Sequence, residues 1–204
     1  MSRLGLGTRR GFSLVELIMV MAIMLAVAAI AMPKFVTFVS TYQLKSALNS
    51  VAGTLQQTRI IAVRKNKYYQ FNYAMPASRQ YVFAETVNAN STWDSGEPGA
   101  ALPSKVTIQT TGFPGNATTT PNFTAQASSV AIQFNSRGLP CIVISSICQN
   151  LDTVTTPGTP TPVGFVVYVR NTGVFGVPGW GAVTVTPAGR IQTWVWNGSA
   201  YSQQ

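Results

Sequence analysis

The sequence predicts an α+β chain, with one long N-terminal helix, its first half transmembrane, packed on a C-terminal antiparallel β-rich domain. Three observations carry this. An apolar run fills residues 14–32. Beyond Pro33, Leu44, Leu48, Val51 and Leu55 recur at steps of four, three and four on an otherwise polar stretch, and Ala62 continues the row. From Tyr68 onward the apolar period becomes two, in a segment dominated by threonine, valine and aromatic residues.

The chain divides into a leader at 1–11, a helix at 12–67 with its membrane span at 14–32, and a β-rich body at 68–204. The leader is short and basic, with Arg3, Arg9 and Arg10. The nineteen residues of the span make about 28 Å of helix at ~1.5 Å per residue, against a hydrocarbon core of ~30 Å. Nine of them are Leu, Ile or Val, together worth roughly −4 kcal/mol of insertion. Glu16 opposes this by at most about 3 kcal/mol, and by less near one end of the span, so insertion wins. The three arginines hold the N-terminus in the cytoplasm and send the body across.

Two plainer readings compete. A secretory signal peptide would use Ala29-Ile30-Ala31 as its cleavage site, but the apolar run exceeds the usual ~7–15 residues and contains a glutamate. A capping box made by Ser13 and Glu16 would explain those two residues. It leaves unexplained the preceding Gly11, the basic leader, and an acid placed in lipid.

Pro33 interrupts the helical pattern, and a proline inside a helix usually kinks it and frees one carbonyl. The helix is expected to continue to about Lys67 and to lay its stripe against the C-terminal sheet. Arg59, Arg64, Lys65 and Lys67 gather in its last turns. Cations suit the negative end of a helix dipole, by ~0.3–1 kcal/mol each. The other use of such a cluster is phosphate binding.

In the body, residues 69–73 and 81–83 alternate around Met75-Pro76-Ala77-Ser78 as a first hairpin. Residues 88–101 read as loop, 105–109 as a short strand, and 110–127 as a long polar loop. Further strands are expected at 130–134, 141–144, 165–170, 182–186 and 191–196. Pro187-Ala188-Gly189 turns between the last two, and Asn197-Gly198 is a turn before the final residues. These make eight candidate strands, in a body expected to hold about seven. Cys141 and Cys148 enclose six residues, and in an exported body a disulfide is favoured over two buried thiols. Such a staple is worth roughly 2–2.5 kcal/mol in the chain-entropy model.

Composition narrows the function. The chain has no histidine, so the usual Ser-His, Cys-His and zinc-histidine constellations are absent. Its five acids (Glu16, Glu85, Asp94, Glu97 and Asp152) offer no convincing acid–base pair, so neither an enzyme nor a cofactor or metal site is expected. The net charge of +9 drops to +6 without the leader's three arginines, which weakens the argument for a polyanion partner.

Gly11-Phe12-Ser13-Leu14-Val15-Glu16 resembles the prepilin peptidase site of type IV pilins and type II secretion pseudopilins. The resemblance implies cleavage between Gly11 and Phe12, N-methylation of Phe12, and a pilin-like fold. Pro33 lies where many family members carry a kinking proline. The body is similar to the GspH/FimT branch of minor pseudopilins and minor pilins. The matching residues are Leu102-Pro103 with Val106, Phe134 with Arg137-Gly138, the strand around 166–169, and Val183, Val185, Pro187 and Gly189-Arg190-Ile191.

The resemblance further implies partners: other pilins or pseudopilins in a helical filament, the prepilin peptidase, an inner-membrane platform protein, and the bilayer before assembly. The location implied is the bacterial inner membrane, single-pass with a periplasmic body, and then a pilus or pseudopilus. The Glu16 carboxylate is costly in lipid unless paired, and the amine created at Phe12 of a neighbouring subunit supplies the partner. That contact is heterologous, so it propagates a filament.

Two other functions stay open. Some FimT-like minor pilins capture DNA through a Gly-Arg-x-Arg motif. Here the segment reads Gly189-Arg190-Ile191-Gln192, so Arg190 and the Arg59–Lys67 cluster are the candidate contacts. A major pilin forming the filament shaft would share the same N-terminal motif.

Overall fold

In the computed structural model, residues 12–75, 78–87, 91–115, 123–125, 132–144, 147–152, 161–162, 164–173 and 179–204 are described. Helix α1 (Leu14–Lys65) is continuous over 52 residues, about 78 Å at ~1.5 Å per residue. Pro33 therefore does not end it. Thr37 Oγ1 donates to the Pro33 carbonyl at 3.1 Å, and Thr41 Oγ1 donates to the Thr37 carbonyl at 3.0 Å. The helix stops at Lys65 because Asn66 takes a left-handed conformation (φ 49°). The amides of Asn66 and Lys67 then return to the carbonyls of Val63 and Ala62. Asparagine is one of the few residues that tolerates this geometry, so Asn66 sets the stop, within two residues of the expected end near Lys67.

Fourteen strands follow among the described residues. They are β1 (Tyr69–Ala74), β2 (Tyr81–Thr86), β3 (Gly99–Ala101), β4 (Val106–Gln109), β5 (Phe123–Ala125), β6 (Ile132–Phe134) and β7 (Pro140–Ile144). After these come β8 (Ile147–Gln149), β9 (Leu151–Asp152), β10 (Thr161–Pro162), β11 (Gly164–Asn171), β12 (Gly179–Val185), β13 (Ile191–Trp196) and β14 (Tyr201–Gln203). One large sheet runs β3-β2-β1-β6-β7-β8, a second runs β14-β13-β12-β11-β4, and β9 and β10 form a separate two-stranded pair. On its second edge β11 pairs antiparallel with β4 and, further along, parallel with β5. The other strand pairs are antiparallel, so the molecule is an α+β fold of one long helix followed by antiparallel sheets.

This corrects the expected strand number. Within 88–101, expected as loop, Gly99–Ala101 is a strand because it completes the edge of β2. Strands of two or three residues also lie within 110–127 and 145–162, and the last residues return as β14. None of these pieces is long enough to show a period of its own.

The stripe on α1 meets both sheets. Leu44, Leu48, Val51, Leu55 and Ala62 are at most 3% exposed, and they share one core with Phe71, Phe134, Phe165, Val167 and Val169. Strand β11 is buried on both faces, which its unbroken apolar run required. Phe165, Val167 and Val169 face the main core, while Val166 and Tyr168 face outward into a second cluster. There Phe113 stacks on Tyr168 with centroids 3.8 Å apart, beside Trp194 and Tyr201.

Side chains also tie the layers together. The Gln80 side-chain oxygen accepts from the Ile108 amide at 2.5 Å, which joins the start of β2 to β4. Asn171 Nδ2 donates to the Ser40 carbonyl at 2.7 Å, which anchors the end of β11 to the helix. Cys141 and Cys148 are disulfide-linked across β7 and β8, with Cα atoms 5.4 Å apart.

Candidate processing and assembly site

From Phe12 to Phe35 every side chain is exposed, because this part of α1 extends beyond the sheets. Its apolar window has a mean hydropathy of 2.7 and no buried residue. So long an uncovered apolar surface is stable only against lipid or other apolar helices. Phe12 stands at the described N-terminus, 80% exposed. Gly11, on the other side of the expected cut, lies outside the described residues together with the leader.

Ser13 is the N-cap in an extended conformation, but its side chain makes no capping hydrogen bond. The capping-box explanation of Ser13 and Glu16 therefore fails. Glu16 sits in the first turn, where a carboxylate complements the unsatisfied amides of a helix start. Its side chain is exposed on the bare part of the helix, so any partner for it must come from outside the domain. An apolar concavity lined by Leu25, Ala29, Met32, Pro33 and Val36 marks the proline on the same bare stretch.

The basic cluster separates into two kinds of residue. Arg64, Lys65 and Lys67 are exposed, and Arg64 and Lys65 occupy the last turn, where cations suit the helix dipole. Arg59 is half-buried and engaged. Its Nε donates to the Gly138 carbonyl at 2.9 Å, and a terminal nitrogen donates to the Gly189 carbonyl at 3.0 Å. The two acceptors close separate turns. Gly138 ends the turn after β6, where the Asn135 side chain accepts from the amides of Arg137 and Leu139. Gly189 ends the turn between β12 and β13, where its amide donates to the Thr186 carbonyl at 2.7 Å.

Both glycines have positive φ, 75° and 78°, and both lie against the Arg59 guanidinium. Arg59 thus sews one turn from each sheet onto the helix. This leaves Arg190 and Arg137 exposed on the two turns. Arg59, expected with Arg64, Lys65 and Lys67 as a helix-dipole or phosphate-binding cation, is instead engaged by the two turns, one of them built on Asn135. The turn-forming Asn135-Ser136-Arg137-Gly138 was the available signal.

Residues 7–32 match the family model of the prokaryotic N-terminal methylation motif. No curated protein and no solved structure matches the chain. The match covers Arg9 and Arg10 of the leader, Gly11, Phe12, Glu16 and the apolar span together, which is the signal of type IV pilin-like prepilins. That signal and the exposed apolar helix fit membrane anchoring.

Proposed function

We propose that this chain is a minor pilin or pseudopilin, cut by prepilin peptidase between Gly11 and Phe12, methylated at Phe12, and assembled into a type IV pilus or type II secretion pseudopilus. The observation that carries this is an acid, Glu16, in the first turn of an uncovered membrane-length helix that bears the methylation signal. A carboxylate in lipid is tolerated when a cation is brought to it, and the new amine at Phe12 of the next subunit is such a cation. A subunit with the wrong stagger leaves both charges unpaired, so the pair sets register. The inner membrane holds the subunit before assembly, with the β-rich body on the periplasmic side.

Intact-mass measurement of the mature protein tests the processing: the chain begins at methylated Phe12, and a start at Met32 would instead mark an ordinary secretory signal. Glu16→Ala tests the pairing. It inserts in the membrane but does not enter filaments, and normal assembly by this variant would sink the account.

A second reading has one observation in its favour. Arg64, Lys65, Lys67, Arg137 and Arg190 are exposed, and the turns carrying Arg137 and Arg190 both dock on the end of the helix that holds the others. This is a surface suited to DNA phosphates. Its test is binding of duplex DNA across a salt series, where an absence of salt-sensitive binding at low ionic strength removes it.

A further inference from the structure

Where the bare helix meets the domain, a groove of about 630 Å³ lies between α1 and the lower end of the second sheet. Its walls are Thr37, Ser40 and Thr41 on the helix, Trp180 on β12, Trp196 at the end of β13, and Pro114. The Asn171–Ser40 hydrogen bond fixes the end of the sheet at that height on the helix. We infer that this rim rests on the bilayer surface, with Trp180 and Trp196 at the level of the lipid headgroups. The inference rests on the reading of 14–32 as a membrane span.

Helix continuity sets the height. Thr37 is five residues beyond Met32, or about 7.5 Å at ~1.5 Å per residue. The headgroup layer on each side of the hydrocarbon is about 5–7 Å thick. The groove's helix wall therefore meets the outer edge of that layer. The sheet end, fixed at Ser40 about 12 Å beyond Met32, stands about 5 Å above it and comes down to it as the helix tilts.

Composition agrees with the height. Phe35, Phe38 and Tyr42 follow one another at steps of three and four, each 67% exposed, on the helix face opposite the buried stripe. Tryptophan and tyrosine are the residues that settle at membrane–water boundaries, since one end of the ring system is apolar and the other is polar. Lys34 leaves the span beside them, and Lys105 and Arg170 are exposed on the lower end of the second sheet. Arg170 lies over the Trp180 ring, 5.4 Å from its centre. No residue lining the groove is acidic. Aromatic rings with interleaved cations suit a phospholipid surface, where the rings insert among headgroups and the cations meet phosphates.

The test uses the full chain in phosphatidylcholine vesicles containing some anionic lipid, with flotation to score insertion. Tryptophan emission is then compared with a nitroxide on the lipid headgroup and with a nitroxide deep in the acyl chain. The headgroup label quenches a large part of the emission and the deep label little. Trp180→Phe and Trp196→Phe each remove part of the headgroup-quenched emission. Trp194→Phe, whose ring lies two residues higher on β13, leaves that component in place. Chains that float but show no headgroup quenching, or the same quenched component after loss of Trp180 or Trp196, overturn the inference while the membrane span stands. Chains that fail to float overturn both.

Discussion

Arg59 Nε donates to the Gly138 carbonyl at 2.9 Å, joining residues 79 positions apart. The same guanidinium reaches the Gly189 carbonyl, 130 positions away, so one side chain holds a turn from each sheet against the helix. Without it the two turns would keep their own internal hydrogen bonds but lose their common anchor.

Arg59→Ala therefore removes two charge-assisted hydrogen bonds and leaves two carbonyls short of a donor. The expected cost is about 2–3 kcal/mol, read as a lower denaturation midpoint of the detergent-solubilised chain. Arg59→Lys recovers only part of it, because an ammonium cannot reproduce the planar fork that reaches two acceptors. A midpoint unchanged by Arg59→Ala would show that the turns do not depend on it.

Gly189→Ala meets two obstacles. The backbone there has φ 78°, and a Cβ would stand 2.8 Å from the Gly138 carbonyl oxygen and 3.2 Å from the Arg59 guanidinium. The replacement should cost about 1–3 kcal/mol. Combined with Arg59→Ala it should cost less than the two single losses together, because both act on the same joint.

Cys148→Ser opens the short loop between β7 and β8, whose ends are seven positions apart. A loop of this size predicts about 2–2.5 kcal/mol of lost stability, and reductant should lower the wild-type melting temperature without affecting the variant. Equal sensitivity of both to reductant would rule out this bond as the source.

Among the described residues, the Tyr201 hydroxyl is buried without a hydrogen-bond partner. Burial, with Tyr168 nearby, holds its ionisation well above the ordinary phenol value, and burial shifts Tyr73 the same way. A raised native value gives stability that is whole below the unfolded value of about 10 and is lost as pH rises beyond it. Tyr201→Phe should thus hold or gain up to about 1 kcal/mol at pH 7, and lose less than wild type between pH 10 and 12. Melting curves across that range decide the matter. A steeper alkaline loss in the variant would contradict the assignment.

Much of the fold was legible where a pattern is local. The stripe from Leu44 to Ala62 is buried as its spacing required, and the hairpin of β1 and β2 lies where alternating aromatics placed it. The helix ends at Lys65, two residues before the expected end near Lys67, because Asn66 acts through backbone conformation, which the apolar period does not record. The shortest strands were missed for a related reason. Gly99–Ala101 has no strand character of its own and becomes a strand only by pairing with β2.

The sequence by itself determined a membrane-length helix with an acid in its first turn, a methylation motif over its start, and a β-rich body behind. Each of these rests on composition or on spacing over a few residues, so neighbours in the chain suffice to specify it. Only the tertiary structure decided that Arg59 is a staple while Arg64, Lys65 and Lys67 stay exposed. It also decided that Trp180 and Trp196 line one groove with the helix. Those relationships join residues from distant parts of the chain, and a contact between distant residues leaves no period behind. It exists only once both sheets have closed on the same helix.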